Sequence, residues 1–348
     1  MAARSSDSQF ARYSRQVRFE GVGEAGQRRL RLSRVTLVGC GALGGALADT
    51  LVRAGIGAMR IVDRDFVELD NLQRQVLFDE HDAAECLPKA EAAARRLRKI
   101  NSAVEVEPVV DDLHAGNAER LCRDGDLILD GTDNIETRFL VNDVAVKLDQ
   151  PWVYGACVGA QGLAMCIVPG RTPCLRCLWE EPPPPGELPT CDTAGIIAPA
   201  VHAVAAVQAC EALKLLAGQE AALHGWLVSI DLWSGRMHGA QVGDGRRTDC
   251  PCCGLRRFEF LDGARASGAE TLCGRDAVQI RPERGAAVDF ARIAARLPFE
   301  ARPMRNAYLL RFSAGDLRVS LFADGRAIVH GTSDPAAARS VYAKYVGS

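Results

Sequence analysis

The sequence predicts an α/β protein: a Rossmann-like, mostly parallel sheet with helices on both faces, stapled by metal and followed by a small C-terminal α+β module. Three observations predict it. Short β-branched runs alternate with helical patterns over about residues 30–150, a glycine-rich run "VGCGALGG" (38–45) joins the first strand to the first helix, and closely spaced strands dominate after residue 260. Alternation of the first kind puts parallel strands beneath crossover helices.

The elements follow in order. "RVTLVGC" (34–40) is an apolar strand, "GALGGALADTLVRAG" (41–55) a small-residue helix ending at Gly55, and "AMRIVD" (58–63) the next strand. "KAEAAARRLRKIN" (89–101) is an amphipathic helix, "VEVEPVV" (104–110) a strand, "AERLCR" (118–123) a short helix and "DLILDGTDN" (126–134) a buried strand ending in polar residues. In such sheets ligands bind beyond the carboxyl ends of the strands. Gly41, Asp63 and Asp133 fall there.

Composition narrows the class. The 348 residues carry 42 Lys+Arg against 44 Asp+Glu, a formal net charge of −2 with both signs spread along the chain, and no basic tract suggests nucleic acid. The N-terminal "MAARSSDSQFARYSRQ" has no apolar core, so a secretory signal is not expected, and "IIAPAVHAVAAVQACEALKLLAG" (196–218) carries His202, Gln208, Glu211 and Lys214, which fits a buried helix and not a membrane span. A cytoplasmic setting turns the 13 cysteines toward metal binding or thiol chemistry.

The ligand is read from "DRDFVELDNLQRQ" (63–75). Gly39 and Gly41 permit a tight turn and close backbone approach, and Gly44 close helix packing. A helix N-terminus favours an anion. Asp63 suits two ribose hydroxyls, or is a solvated strand-end acid. Arg74 and Lys89 add two cations, which suit a triphosphate better than the pyrophosphate of a nicotinamide cofactor. Asp133 can hold Mg²⁺ through one carboxylate. The combination points to ATP bound without a Walker loop.

The ordered motifs "RYSRQ" (12–16), "GCGALGG" (39–45), "VDRDFVELDNLQRQ" (62–75), "PKAE" (88–91), "DGTDN" (130–134), "PCLRC" (173–177), "TCDTAG" (190–195) and "CPCCG" (250–254) resemble the ubiquitin-activating-enzyme superfamily. More closely, the chain is similar to bacterial adenylyltransferases of the ThiF/MoeB type, which act on sulfur-carrier proteins of molybdopterin and thiamine biosynthesis. The resemblance covers roughly residues 8 to 256 and implies an adenylyltransferase domain over 1–259, with a crossover loop at about 178–195 and a zinc site closing at 250–253. It implies that Asp63 binds ribose, that Asn71, Arg74 and Lys89 hold phosphates, that Asp133 serves Mg²⁺ and the reacting phosphate, and that Arg15 reaches into the partner's site of a homodimer. Asp65, Asp70, Leu72, Gln73, Gln75, Thr132 and Asn134 complete the expected nucleotide-contacting set with Gly39, Gly41, Ala42 and Gly44. A glycine commonly stands in the family where this chain has Ala42. The implied reaction transfers AMP from ATP to the C-terminal glycine carboxylate of a β-grasp carrier ending in Gly-Gly and releases pyrophosphate. The attacking carboxylate is already ionised at neutral pH, so no general base is required, and the scattered histidines need no catalytic role.

The cysteines fall into classes. Cys174 and Cys177 form one C-x-x-C pair, Cys250 and Cys253 another. Two such pairs suit tetrahedral zinc with thiolates at about 2.3 Å. Their separation exceeds that of an ordinary ribbon, so spacing leaves unrelated thiols open, and the resemblance implies a structural zinc. Cys252 is a decoy by spacing. Cys40, Cys122, Cys157, Cys166 and Cys210 sit in apolar runs and read as core; Cys86 has no assignable role. Cys191 follows the stiff "EEPPPPGELPT" (180–190) near a helix start. The resemblance implies a thioester or persulfide linkage to the carrier there, with a sulfur donor as a further partner for the persulfide, and the alternative is an ordinary loop thiol.

Residues 260–348 read as a separate module that docks a partner or places the carrier. "AVQIRP" (277–282), "NAYLLRFSA" (306–314), "LRVSLFADG" (317–325) and "RAIVHG" (326–331) are strands, "VDFARIAARL" (288–297) and "DPAAARSVYAKYV" (334–346) helices, and Cys273 is a second sulfur-handling thiol or a partly buried one. Two rival functions stand beside adenylation. A nicotinamide-dependent dehydrogenase explains Gly39 to Asp63 but leaves Arg74, Lys89 and the paired cysteines unused. A non-catalytic zinc-containing scaffold leaves the set of Arg15, Arg74, Lys89 and Asp133 unused.

Overall fold

The computed structural model describes residues 10–184, 187–243, 245–263, 276–280 and 288–346. They form two compact units, residues 10–184 and 189–263 belonging to the larger and 276–280 and 288–346 to the smaller. The larger is built on β1 (Arg34–Val38), β2 (Ala58–Val62), β3 (Glu105–Val109), β4 (Leu127–Asp130), β5 (Trp152–Val158), β6 (Gln161–Ile167), β7 (Trp226–Asp231) and β8 (Arg236–Gln241). These make one sheet in the order β3-β2-β1-β4-β5-β6-β7-β8. The first five in that order are parallel, and the last three continue antiparallel. Val38 lies opposite both Val62 and Asp130, so β1, β2 and β4 end at one level. The strand order reverses at β1, and the crevice of a parallel sheet opens at such a point.

Helices cover both faces. Successive β5 residues point opposite ways: Tyr154 joins the buried cluster that holds Phe139 of the helix Ile135–Lys147, whereas a Cβ on Gly155 would lie 2.3 Å from Gln208 of the helix Ala198–Ala217. That long helix buries Val201, Val204, Ala205 and Ala212, as its apolar composition predicts, and packs against the helix Ala42–Ala54. Small residues allow the close approach: Gly44, Gly45, Ala46 and Ala48 are all buried. Gly55, at φ 82°, ends the helix in the left-handed region.

The first half agrees with the sequence reading to within a residue or two at most boundaries. The helix Ile135–Lys147 escaped it. Its buried residues include Arg138, Asn142 and Asp143, so it shows no apolar stripe of helical period. Cys40, Cys122 and Cys166 are buried as expected, but Cys157 is half-buried and Cys210 is exposed; an apolar run did not guarantee an inward-facing thiol. Phe260 and Leu261 belong to the core of the larger unit.

The smaller unit holds β9 (Ala277–Ile280), β10 (Met304–Arg305), β11 (Leu309–Ala314), β12 (Leu317–Phe322) and β13 (Ala327–His330). They form an antiparallel sheet in the order β10-β11-β12-β13-β9. Its core includes Val278, Leu310, Phe312, Val319, Leu321 and Val329. Gly325 turns β12 into β13 at φ 87°, and Asp334 caps the helix Pro335–Tyr345 by accepting from Ala336 N at 2.9 Å. Cys273 lies outside the described residues.

Candidate active site

Three loops meet at the carboxyl edge of β1, β2 and β4. Gly39 follows β1 at φ 84°, and a Cβ there would sit 2.7 Å from the carbonyl of Gly131. Cβ atoms on Gly44 and Gly131 would come within 2.0 and 2.4 Å of Gly39 O. Side chains at any of the three would force the turns apart. Sequence reading named Gly39 and Gly44 but passed over Gly131, whose signal was only its place between two acids. Gly41 is the N-cap of the helix Ala42–Ala54 and supplies no side-chain cap. The first N–H groups of this 13-residue helix therefore point from the loop without a capping oxygen.

Asp63 stands at the end of β2 with both oxygens engaged. Its Oδ2 accepts from Cys40 N at 2.6 Å and its Oδ1 from Asp65 N at 2.7 Å. Each oxygen keeps a second lone pair for a ribose hydroxyl. Burial pushes the Asp63 pKa up to about 6, with Asp65 adding to the rise and Lys89 and the two N–H donors opposing it. Lys89 is buried, its Nζ 3.3 Å from Asp65 Oδ2. A buried ammonium needs such a partner; Lys89 and Asp65 thus form an ion pair beside Asp63. Arg64, which the sequence reading did not single out, joins this network through Asp112 at 2.8 Å and Asp65 at 3.8 Å.

The loop after Asp65 turns through Leu69–Asn71. Asn71 is buried and donates to Asp70 Oδ1 at 2.9 Å. Arg74 donates to Asp70 O at 2.9 Å. Leu72 is half-buried and Gln73 exposed. Gln75 is buried with its Nε2 3.7 Å from where a Gly41 Cβ would stand, and its Oε1 has no hydrogen-bond partner among the described residues. An orphaned acceptor beside the open helix end fits a loop shaped for a ligand with donors of its own.

Asp133 is exposed on the loop after β4. Its neighbours are not. Asp130 is fully buried and pairs with Arg138 Nε at 3.0 Å. Thr132 bonds Asp130 through both N and Oγ1. Asn134, expected on the nucleotide, spends its Oδ1 on capping the helix Ile135–Lys147 by accepting from Glu136 N and Thr137 N.

Cys191 begins the one-turn helix Cys191–Ala194, capped by Thr190. Its thiol lies 3.5 Å from the Cys157 carbonyl near the end of β5. Gly159 N donates to Gly195 O at 2.8 Å and Ile197 N to Gly159 O at 3.0 Å, tying this segment to the same sheet edge that carries Asp133. Arg15 is exposed on the helix Ser14–Val17. The segment before it is anchored by Arg12 on Ile100 O and by Asn101 on Tyr13 Oη.

The four cysteines of the two pairs come together: all the Sγ atoms of Cys174, Cys177, Cys250 and Cys253 lie within 4.8 Å of one another. Neighbouring sulfurs are 3.4 to 3.9 Å apart. A tetrahedron with metal–sulfur bonds of about 2.3 Å has edges of about 3.8 Å, so the cluster fits one ion. Cys252 is not one of the four, and accepts from Asn142 Nδ2 at 3.2 Å. Cys177 accepts a backbone bond from Arg247 N at 3.5 Å.

The ThiF family model matches residues 13–252, a span that includes all three nucleotide-edge loops, the pair Cys174 and Cys177, and Cys250 of the second pair. The chain belongs to the ThiF family. This ThiF-family chain is 47% identical over 337 residues to the sulfur carrier protein ThiS adenylyltransferase of Bacillus subtilis, covering 97% of itself and 99% of that protein. It is 40% identical over 248 residues to the sulfur carrier protein adenylyltransferase of Thermus thermophilus, covering 70% and 90% respectively. Among solved structures, Escherichia coli MccB with ATP is similar at a TM-score of 0.60 and 25% identity, over 70% of this chain and 74% of that one. The ThiF match ends before the smaller unit, whereas the Bacillus relative spans almost all of both.

Proposed function

We propose that this ThiF-family chain is an adenylyltransferase that uses ATP to activate the C-terminal glycine carboxylate of a β-grasp sulfur-carrier protein. The observation that carries the reading is the convergence of an uncapped helix N-terminus, Asp63 and Asp133 on adjacent loops at one sheet edge. Near-full-length identity to an enzyme named for ThiS makes a ThiS-type carrier ending in Gly-Gly the first candidate.

The chemistry asks little of the protein beyond alignment and fixed charge. The helix Ala42–Ala54 receives phosphate at its N-terminus, Asp63 takes the ribose, and Asn71, Arg74 and Lys89 face the phosphates. Mg²⁺, when bound, neutralises charge on the phosphates, and Asp133 is the residue to hold it. The carrier carboxylate attacks the α-phosphorus; the α–β anhydride bond breaks, and pyrophosphate leaves with its electron pair. Arg15 completes the site of a second copy in a cytoplasmic homodimer. The cysteine cluster holds structural zinc, since four protein ligands leave no open position. The Cys191 thiolate then attacks the carrier adenylate, AMP leaves, and a thioester forms; where a donor persulfide has first passed its outer, sulfane sulfur to Cys191 and left as a thiolate, the same displacement of AMP gives an acyl persulfide.

Intact-mass spectrometry after incubating the protein with ATP, Mg²⁺ and a ThiS-type carrier tests this. The expected product is the carrier adenylate, and, with a sulfur donor present, a reducible adduct that Cys191→Ala cannot form. Absence of adenylate with every Gly-Gly carrier offered would overturn adenylation. An adduct that survives in Cys191→Ala would overturn only the thiol assignment.

A further inference from the structure

The described residues hold a buried ion pair that the adenylation chemistry has not used. Arg138 and Asp130 are 8% and 0% exposed, and their polar contacts converge on the loop that carries Asp133. Arg138 Nε donates to Asp130 Oδ2 at 3.0 Å, and Nη2 donates to Thr132 O at 2.7 Å and Gly155 O at 3.1 Å. Asp130 Oδ1 accepts from Thr132 N at 2.9 Å and Thr132 Oγ1 at 2.8 Å, and Oδ2 also accepts from Gly155 N at 3.3 Å. Gln208 Nε2 reaches Asp130 O at 3.0 Å from the opposite face. The Tyr154 ring lies 5.6 Å from the guanidinium.

Such a pair is a poor device for stability alone. Removing two charges from water costs several kcal/mol per ion, and apolar residues of the same volume often serve as well. What the pair does supply is direction. A planar guanidinium fixes two carbonyls and a carboxylate at once. Thr132 is thereby bonded through N, O and Oγ1, one residue before exposed Asp133, and Gly131 is packed on Gly39 on the other side. Asp133 is also within electrostatic reach of the guanidinium: burial lowers the Arg138 pKa, and Asp130, Tyr154 and Asp133 more than restore it.

We infer that Asp130 and Arg138 are positioning residues that hold the 131–134 loop so that the Asp133 carboxylate meets the divalent cation and the reacting phosphate in one fixed geometry. The role deepens the adenylation reading and rests on it for the chemistry, though not for the loop geometry. A lysine at 138 keeps the charge but cannot make the three fork contacts, and Thr132→Val deletes only the hydroxyl bond to Asp130.

The test compares wild type, Arg138→Lys, Thr132→Val and Asp133→Asn. Amide hydrogen exchange of the peptide spanning 131–134, in nucleotide-free protein, reads loop geometry directly. We expect that peptide to exchange at least about tenfold faster in Arg138→Lys and several-fold faster in Thr132→Val, with the sheet peptides and the melting temperature nearly unchanged, and to be unaffected in Asp133→Asn. In ATP–pyrophosphate exchange, Arg138→Lys should lower kcat at least tenfold and raise the Mg²⁺ concentration for half-activity, leaving the ATP KM within a factor of about two. Unchanged loop exchange in both loop variants would overturn the inference, as would activity lost only in proportion to folded protein. If Arg138→Lys does not fold, Thr132→Val decides. If wild type shows no pyrophosphate exchange, the adenylation reading fails while the amide data still decide whether the pair holds the loop.

Discussion

The helix Ile135–Lys147 connects two sites of opposite character. At its first turn the nucleotide edge is open: Asp133 is exposed, Gly41 leaves the neighbouring helix uncapped, and Gln75 Oε1 is buried without a partner among the described residues. Two turns on, the cysteine knot is closed. Asn142 Oδ1 accepts from Leu175 N at 2.8 Å while its Nδ2 donates to Cys252, and Asp143 Oδ2 accepts from Phe260 N at 2.9 Å. The four thiols lie within 4.8 Å of one another, close enough to share one metal ion. A site that completes its own coordination can only hold structure, whereas a site left short of partners is built to receive them.

The largest effect should come from breaking the closed site. Cys174→Ser or Cys253→Ser should abolish zinc binding. Because structural zinc contributes roughly 10–16 kcal/mol of apparent binding energy, more than the whole stability of many domains, the variants should melt far below wild type or fail to fold. Metal analysis and thermal unfolding read both. Full stability without metal would remove the distinction between the sites.

Next in size is the open site. Arg74→Ala and Asp133→Ala should each lower adenylation about a hundredfold or more, on the order of 3 kcal/mol, with zinc content and melting temperature close to wild type. A drop in stability comparable to the cysteine variants would mean these charges hold the fold and not the ligand.

A third effect sharpens the contrast between a self-contained site and one needing a partner. If Arg15 acts across a homodimer, Arg15→Ala and Asp133→Ala chains, each inactive, should regain up to one working site per heterodimer when mixed. A verified heterodimer without recovery would place Arg15 outside the site.

The smallest effect is on pH dependence. The Asp63 pKa is raised from 3.8 to about 6, chiefly by burial. Between those values the native state holds a proton that the unfolded state has released, so stability contributed here falls as pH rises from about 4 to about 6. Asp63→Asn should flatten that part of the profile. Asp143, also raised to about 6 by burial, would remain as the residual slope. A profile identical in Asp63→Asn would show that Asp63 titrates normally.

The two sites were unequally legible in the sequence. A strand–helix turn needs glycine where backbones touch, and acids gathered at strand ends repel one another unless a ligand or cation joins them. Gly39, Gly41, Asp63 and Asp133 therefore stood out, as did the C-x-x-C pairs. Asp130 did not, because nothing in "DGTDN" distinguishes the buried acid from the exposed one three residues on. Arg138 was hidden in a helix that buries polar residues and so lacks an amphipathic pattern. Lys89 was read as a phosphate cation from its type; its pairing with Asp65 across 24 positions is a tertiary fact. Strand β8, with all six residues exposed, carries no apolar alternation for a sequence reading to find.

The central claim is that the open edge makes an acyl-adenylate on a carrier carboxylate. Isotope exchange between pyrophosphate and ATP measures the reversal of that step directly. With a ThiS-type carrier ending in Gly-Gly, exchange should be carrier-dependent, should vanish when the terminal glycine carboxylate is converted to an amide, and should persist in Cys191→Ala. Exchange that is absent with the intact carrier, or indifferent to the amide, would contradict the account.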